Sequence, residues 1–125
     1  MDSLQEQIGG NHYKGLPYQP VEFAVDAKLD FIQGCIVKYV SRYKNKNGVE
    51  DLQKAKHFVK LGLKLDSSDK ELSISKRSGL AAKYVNENGL SELVGDVVLN
   101  TLHKDWIGIV LCIDKLIAEY NEQSR

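Results

Sequence analysis

Apolar residues recur at helical spacing through the first half of the chain, in segments separated by prolines and polar residues. Pro20 suits the first turn of a short helix that extends to about Ala27. Asp30 is a suitable N-cap for a second helix ending near Tyr43, because its carboxylate accepts hydrogen bonds from free amides. The apolar face of that helix carries Phe31, Ile32, Cys35, Ile36, Tyr39, Val40 and Tyr43.

The helical pattern continues after a turn predicted at residues 45–48, which contain two asparagines and a glycine. A third helix begins near Val49, and residues 75–86, 90–102 and 106–120 are predicted as three more. A polar break covers residues 66–69, and residues 71–75 favour a short extended segment. The predicted fold class is all-α, a compact helical bundle. The stripe of the third helix carries Val49, Leu52, Ala55, Val59 and Leu63.

The second half of this pattern repeats the first at an offset of 61 residues, which becomes 57 after the turn. We therefore predict two degenerate helical-hairpin repeats, residues 1–65 and 66–125, packed together as one domain. The alternative is that any two amphipathic helix pairs align this well. Aligned pairs are Phe23 with Tyr84, Gly34 with Gly95, Ile36 with Val97, Leu52 with Ile109 and Val59 with Leu116.

The polar residues are not repeated as the apolar ones are. We therefore expect the chemistry of this chain in its first half, with the second half completing the core. Lys38 aligns with Leu99, Tyr39 with Asn100 and Arg42 with His103.

Composition narrows the class of protein. The 125 residues are 42% apolar and 27% charged, as in globular domains, which excludes disorder throughout. Cys35 and Cys112 lie in apolar stretches, so we expect reduced, buried thiols in a cytoplasmic protein. No run reaches the about 20 apolar residues of a membrane helix, so no membrane partner is expected.

Charge is unevenly distributed in this neutral chain. Residues 38–64 contain eight basic and two acidic residues, a net charge of +6, whereas residues 84–125 have a net charge of −4. A basic block in a neutral protein indicates a local anion site more than a nucleic-acid surface. The alternative is a solvated, lysine-rich helix face.

The basic block contains a pattern suited to phosphate. Lys38 and Arg42 are four residues apart on one helix face, and Lys46 follows at the same interval. A helical hairpin would bring them near Asp51 and Lys54. An arginine grips phosphate in two places, and a lysine adds a point charge.

Four further side chains could take part in the site. Tyr13 and Tyr39 could stack on a base, or Tyr39 could belong to the core. Asp51 could orient an arginine, meet a magnesium ion held by phosphates, or cap its helix. His12 lies in a glycine-flanked loop and could cover the site or only bond within the loop. The sequence contains no metal-ligand cluster, Ser–His–acid arrangement or Walker loop.

These residues carry a resemblance that covers roughly residues 11–63. The chain resembles a small phage-encoded family whose members are often labelled nucleotide kinases and lack a Walker loop. The resemblance is in Asn11-His12-Tyr13, Pro20-Val21-Glu22, Asp30-Phe31, Gly34, Lys38-Tyr39, Arg42, Lys46, Gly48, Glu50-Asp51-Leu52 and Lys54-Ala55.

The resemblance implies a phage-type nucleotide-binding protein similar to (deoxy)nucleoside monophosphate kinases, in the host cytoplasm if phage-encoded. In a kinase, Lys38, Arg42 and Lys46 would neutralise the charge on the phosphates, and Asp51 would position Mg²⁺ or an arginine. One patch is small for two nucleotides, which favours a homo-oligomer. The residues expected to contact nucleotide are His12, Tyr13, Lys38, Tyr39, Arg42, Lys46 and Lys54.

Two other functions stay open. The first is a non-catalytic protein that sequesters a nucleotide or a cyclic nucleotide signal. It needs the cations and aromatic rings but neither a magnesium-binding acid nor a phosphate donor. The second is a structural helical interaction module.

Overall fold

The computed structural model describes residues 16–65 and 74–123, which form helices and turns without a strand. This confirms the predicted all-α bundle. The helices are α1 (Pro20–Asp26), α2 (Phe31–Arg42), α3 (Val49–Leu65), α4 (Ile74–Glu87), α5 (Glu92–Leu102) and α6 (Trp106–Gln123), with a 3₁₀ turn at Tyr43–Asn45.

Local capping explains where two of the helices begin. The Asp30 carboxylate accepts a hydrogen bond from the Gln33 amide at 2.8 Å, and the Gln33 side chain accepts one from the Asp30 amide at 2.9 Å. This reciprocal pair is a capping box. At the start of α5, the Ser91 hydroxyl accepts a single hydrogen bond from the Val94 amide at 3.2 Å.

The predicted extended segment at residues 71–75 is wrong where the structure describes it, because α4 already begins at Ile74. A single short strand would leave its backbone groups without partners, whereas a helix satisfies them internally. Residues 71–73 and the predicted polar break at 66–69 lie outside the described residues.

One hydrophobic core joins the two halves of the chain. Helices α2 and α5 begin 61 residues apart, and α3 and α6 begin 57 apart, which are the offsets in the sequence. The rings of Phe23 and Tyr84, an aligned pair, stack with centroids 4.6 Å apart. Other aligned pairs are almost fully buried: Ile36 with Val97, Val37 with Val98, Leu52 with Ile109, and Val59 with Leu116.

Helices α3 and α6 run antiparallel and fit aromatic rings against glycines. A Cβ atom at Gly62 would lie 2.6 Å from the Trp106 ring, so only glycine leaves room for the indole. At the other end, Gly48 has a φ of +56° and would clash with Tyr120 if it carried a Cβ. Trp106 is 8% exposed, as expected for a core residue.

Two sequence expectations on burial need correction. Phe31, assigned to the apolar inner face, is 78% exposed, because it lies in the first turn of α2, at the end of the bundle. Cys35 and Cys112 are free thiols, but they are half-buried instead of fully buried. Among the described residues, no helix is long and apolar enough to cross a membrane.

Candidate functional site

Three cationic side chains converge on the ring of Tyr39. The Lys38 Nζ lies 4.9 Å from the ring centroid, the Arg42 guanidinium carbon 4.8 Å and the Lys54 Nζ 5.6 Å. Residues 38, 39 and 42 come from α2 and residue 54 from α3, so the hairpin assembles the group. We call Lys38, Tyr39, Arg42 and Lys54 the Tyr39 cluster.

Arg42 is held in place from below by a buried carboxylate. Its Nη2 donates to the Asp51 Oδ1 at 3.3 Å, and Asp51 is 0% exposed. The Asn47 amide donates to Oδ2 at 3.3 Å, and its side-chain nitrogen to Oδ1 at 3.5 Å. Asp51 therefore orients the arginine and also ties the turn to the start of α3, which combines two of its three sequence interpretations.

Sequence reasoning did not assign a functional role to Phe58 and Phe31, which extend the aromatic surface. The Phe58 ring stacks on Tyr39 with centroids 6.0 Å apart and an interplanar angle of 19°. Phe31 meets Phe58 edge to face at 6.1 Å. A row of three rings thus leads from the exposed Phe31 to the cations. The row forms only when α2 and α3 pack together. The periodicity of either helix taken alone therefore does not predict it.

The other predicted site residues lie apart from the cluster or outside the structure. Lys46 is exposed in the turn between α2 and α3. His12 and Tyr13 lie outside the described residues, so their predicted contacts stay predictions. Lys54, by contrast, belongs to the cluster, and it also lies 4.0 Å from the exposed carboxylate of Glu50.

Electrostatics favour an anion at the Tyr39 cluster. The face of an aromatic ring attracts cations, but three cations around one ring repel one another. The buried Asp51 offsets the charge of Arg42, and Glu50 is exposed to water. An anion that bridges the lysines would relieve the remaining repulsion.

The second half supplies a comparison within the same chain. The positions that align with the cluster hold Leu99, Asn100, His103 and Leu111, and the position of Asp51 holds Gly108. This half nevertheless forms a hairpin whose two helices begin at the aligned positions. The fold of such a hairpin therefore does not require the cations or the buried ion pair.

The residues at this site do not fit a magnesium ion held by Asp51. Its oxygens are occupied by Arg42 and Asn47, and its side chain is closed to solvent. In the two described ranges, no group of three or more His, Cys, Asp or Glu residues is arranged to hold a metal ion.

The fold and the cluster define a class: a small all-α protein with a cationic and aromatic site on a helical hairpin. A family model described as a protein of unknown function (DUF3310) matches residues 9–60. The matched range contains the whole Tyr39 cluster and Asp51, and it overlaps the range of the sequence resemblance. No curated protein and no solved structure matches the chain.

Proposed function

We propose that this protein binds a nucleotide and does not transfer its phosphate, with the phosphate at the Tyr39 cluster. The observation that carries the proposal is the convergence of three cations on one ring in a hairpin whose counterpart folds without them. Buried or crowded charge that the fold does not need is expected at functional sites. The sequence resemblance supports a nucleotide as the source of the phosphate.

The cluster has the parts that phosphate recognition uses. Arg42 is 7% exposed and is held by Asp51, so its guanidinium supplies a fixed positive charge beneath the two lysines. The Lys38 and Lys54 ammonium groups come from neighbouring helices and can neutralise two sides of the same anion. Tyr39 holds all three groups together between binding events.

Sequestration is favoured over phosphoryl transfer by the position of Asp51. A kinase that used this carboxylate for magnesium would need it to leave Arg42 and Asn47 and to become exposed. Binding needs no such change. The proposal therefore takes the sequestering alternative and assigns Asp51 a positioning role.

Self-association and location complete the proposal. Three exposed leucine and isoleucine side chains on α5 and α6 take the places of the charged residues of the cluster face: Leu99 is 40% exposed, Leu111 59% and Ile107 70%. We infer that this face contacts a second copy of the chain in a homo-oligomer. The free thiols suit a reducing compartment such as the cytoplasm.

The test is recovery of nucleotides from a mixture. The protein is incubated with mono-, di-, tri- and cyclic nucleotides plus ATP and Mg²⁺, and the filtrate is quantified by chromatography. We expect one or more nucleotides to leave the filtrate and to return when the protein is denatured. New diphosphate with matching ADP would overturn the proposal in favour of a kinase, and an unchanged mixture would overturn both.

Variants then locate the site. Lys38→Leu and Lys54→Leu copy the residues of the second half, and each should weaken nucleotide binding about tenfold, as for one charge-assisted hydrogen bond. Lys60→Leu is the matched control, because Lys60 is an exposed lysine of the same helix as Lys54. Equal losses in all three variants would indicate general charge attraction instead of a site.

A further inference from the structure

A groove opens between α1 and α2 beside the Tyr39 cluster. Its volume is about 370 Å³, which is enough for a nucleobase and part of its sugar. Apolar and small residues form most of the wall. The lining consists of Gln19, Pro20, Val21, Ala24, Leu29, Asp30, Phe31, Gly34, Cys35 and Lys38.

The polar residues of the lining differ in what they can offer a ligand. Asp30 already accepts from the Gln33 amide at 2.8 Å and lies 3.4 Å from the Lys104 Nζ. Gln19 takes part in the capping box of α1 with Glu22. Lys38 is the one cationic side chain among the described residues that line the groove. It is half-buried and also belongs to the Tyr39 cluster.

Two residues connect the groove with the cluster. Lys38 lines the groove and also lies 4.9 Å from the Tyr39 centroid. Phe31 lines the groove with a 78% exposed side chain, and its ring meets Phe58, which stacks on Tyr39. A ligand with an anionic group at the cluster would therefore extend its remaining part into the groove.

We propose that the α1–α2 groove holds the base of the bound nucleotide, with Phe31 stacking on it and Lys38 at the junction between base and phosphate. This inference rests on the proposed function, because it assumes that the phosphate lies at the Tyr39 cluster. A flat, largely apolar group attached to an anion matches the apolar wall, the exposed ring and the single cation.

The groove recognises the base by stacking and apolar contact. Its carboxylate and amide side chains are engaged in helix caps, so it contains few groups that could read the edge of a base. A bidentate hydrogen-bonded contact discriminates between bases by about 1–3 kcal/mol, and such a contact is not expected here. We therefore expect AMP, GMP, CMP and TMP to bind within about tenfold of one another.

The second half contains a groove of the same size with opposite chemistry. It lies between α4 and α5, has a volume of about 370 Å³, and is lined at aligned positions by Glu92, Asp96 and Leu99. Acidic side chains repel a phosphate, so this groove is not expected to bind a nucleotide although its volume is the same. It therefore serves as an internal control for the effect of groove volume.

The first experiment measures alkylation of the two thiols of the intact protein by mass spectrometry. Cys35 lines the groove, whereas Cys112 is in α6 and serves as the internal control. Burial raises the pKa of both thiols, so the reaction is run at mildly alkaline pH. Each monophosphate, at ten times its Kd, should slow alkylation of Cys35 about tenfold by mass action and leave Cys112 unchanged.

Inorganic pyrophosphate separates this inference from the proposed function. It should occupy the cluster but leave Cys35 reactive, because it has no base. If a monophosphate leaves the filtrate in the nucleotide-recovery test and Cys35 stays fully reactive, the groove is not the base site although the proposed function stands. Equal protection by pyrophosphate overturns the inference as well. If no monophosphate binds but another nucleotide of the mixture does, the inference fails and the proposed function stands. If no nucleotide binds, both fail.

A pair of variants adds a second readout. Phe31→Ala should weaken monophosphate binding about tenfold, as expected for the loss of one base–aromatic stack, and should leave pyrophosphate binding unchanged. Glu92→Ala, at the aligned position of the other groove, should change neither. An equal loss for monophosphate and pyrophosphate in Phe31→Ala would show that Phe31 acts on the cluster and not on a base.

Discussion

The α2–α3 hairpin and the α5–α6 hairpin share a buried aliphatic core and differ in the chemistry of their remaining positions. Both begin their first helix with a side-chain cap, and both pack their long second helix, α3 or α6, against that of the other half. Four aligned pairs are aliphatic and buried in both hairpins: Ile36 with Val97, Val37 with Val98, Leu52 with Ile109, and Val59 with Leu116. At the positions of the Tyr39 cluster, the first hairpin has cations and an aromatic ring, whereas the second has two leucines, an asparagine and a histidine.

The comparison teaches which features the fold needs. Leu99 and Leu111 occupy the places of Lys38 and Lys54 without altering where the helices begin. The cations of the first hairpin therefore contribute to something other than hairpin formation. The proposed phosphate ligand would account for three like charges kept around one ring.

The two hairpins also use their capping carboxylates differently. In the second, Asp105 precedes α6 and accepts from the Gly108 amide at 3.0 Å. In the first, the carboxylate is three residues further on, at Asp51, where it accepts from Asn47 and reaches Arg42. Moving the acid into the first turn of the helix allows one side chain to secure the turn and position the arginine.

The largest expected effect comes from breaking the buried pair. Asp51→Asn should lower the free energy of unfolding by about 3 kcal/mol, because Arg42 would keep a buried charge without its carboxylate. Urea denaturation measures the loss. The double variant Arg42→Met/Asp51→Leu makes the first hairpin as apolar as the second and should recover most of the stability, but not nucleotide binding. Failure to recover stability would mean that the first hairpin needs its ion pair to fold.

The next largest effect on stability is expected at a glycine that packs against an aromatic ring. Gly62→Ala should destabilise the protein by about 2 kcal/mol, because its Cβ would overlap the Trp106 ring. Gly79→Ala is the control: it lies in α4 with open space around it and should stabilise by about 1 kcal/mol through helix propensity alone. Thermal unfolding of both variants checks the difference. Stabilisation by Gly62→Ala would show that α3 and α6 can separate without cost.

The stability at alkaline pH depends on the hydrogen bond between Tyr18 and Asp26 in the first half of the chain. Burial, together with a 2.6 Å hydrogen bond to Asp26, raises the pKa of Tyr18 above its ordinary value of 10.0. The folded state thus holds this proton more tightly than the unfolded chain does. The stabilisation is complete below pH 10 and is lost as the pH rises further, by about 1.4 kcal/mol for each pH unit.

Urea denaturation between pH 8 and 11 measures this slope, and Tyr18→Phe should make it shallower by about one proton. The aligned position in the second half is Gly79, so no matching phenol exists there. An unchanged slope in Tyr18→Phe would assign the alkaline loss to other groups, such as Tyr43, whose pKa burial also raises.

The smallest change in stability is expected from alanine substitutions at the aligned glycines of α2 and α5. A Cβ at Gly34 would lie 3.8 Å from Ala24, an ordinary contact, whereas one at Gly95 would lie 3.3 Å from Val85. Gly34→Ala should therefore stabilise by roughly 0.5–1 kcal/mol. Gly95→Ala should gain less, because Val85 must shift. Equal gains in thermal unfolding would mean that the two helix pairs pack equally loosely.

Local signals were sufficient to predict most of the helices. Pro20, Asp30 and the turn before Val49 mark helix starts through interactions within a few residues, and the structure places those starts where the pattern predicts them. The offsets of 61 and 57 residues likewise follow from the order of apolar positions. The grouping of Lys38 with Arg42 follows from their spacing on one helix.

The sequence by itself determined the all-α class, the starts of α1, α2, α3 and α6, and the basic character of the first hairpin, because these depend on local propensity and periodicity. Only the tertiary structure decided that Asp51 lies buried beneath Arg42, that Lys54 joins Tyr39, and that Phe31 is exposed beside a groove. Those features depend on the rotation and separation of packed helices. A shift of one residue in the register between α2 and α3 would change every one of them while leaving the helical pattern of the sequence unaltered.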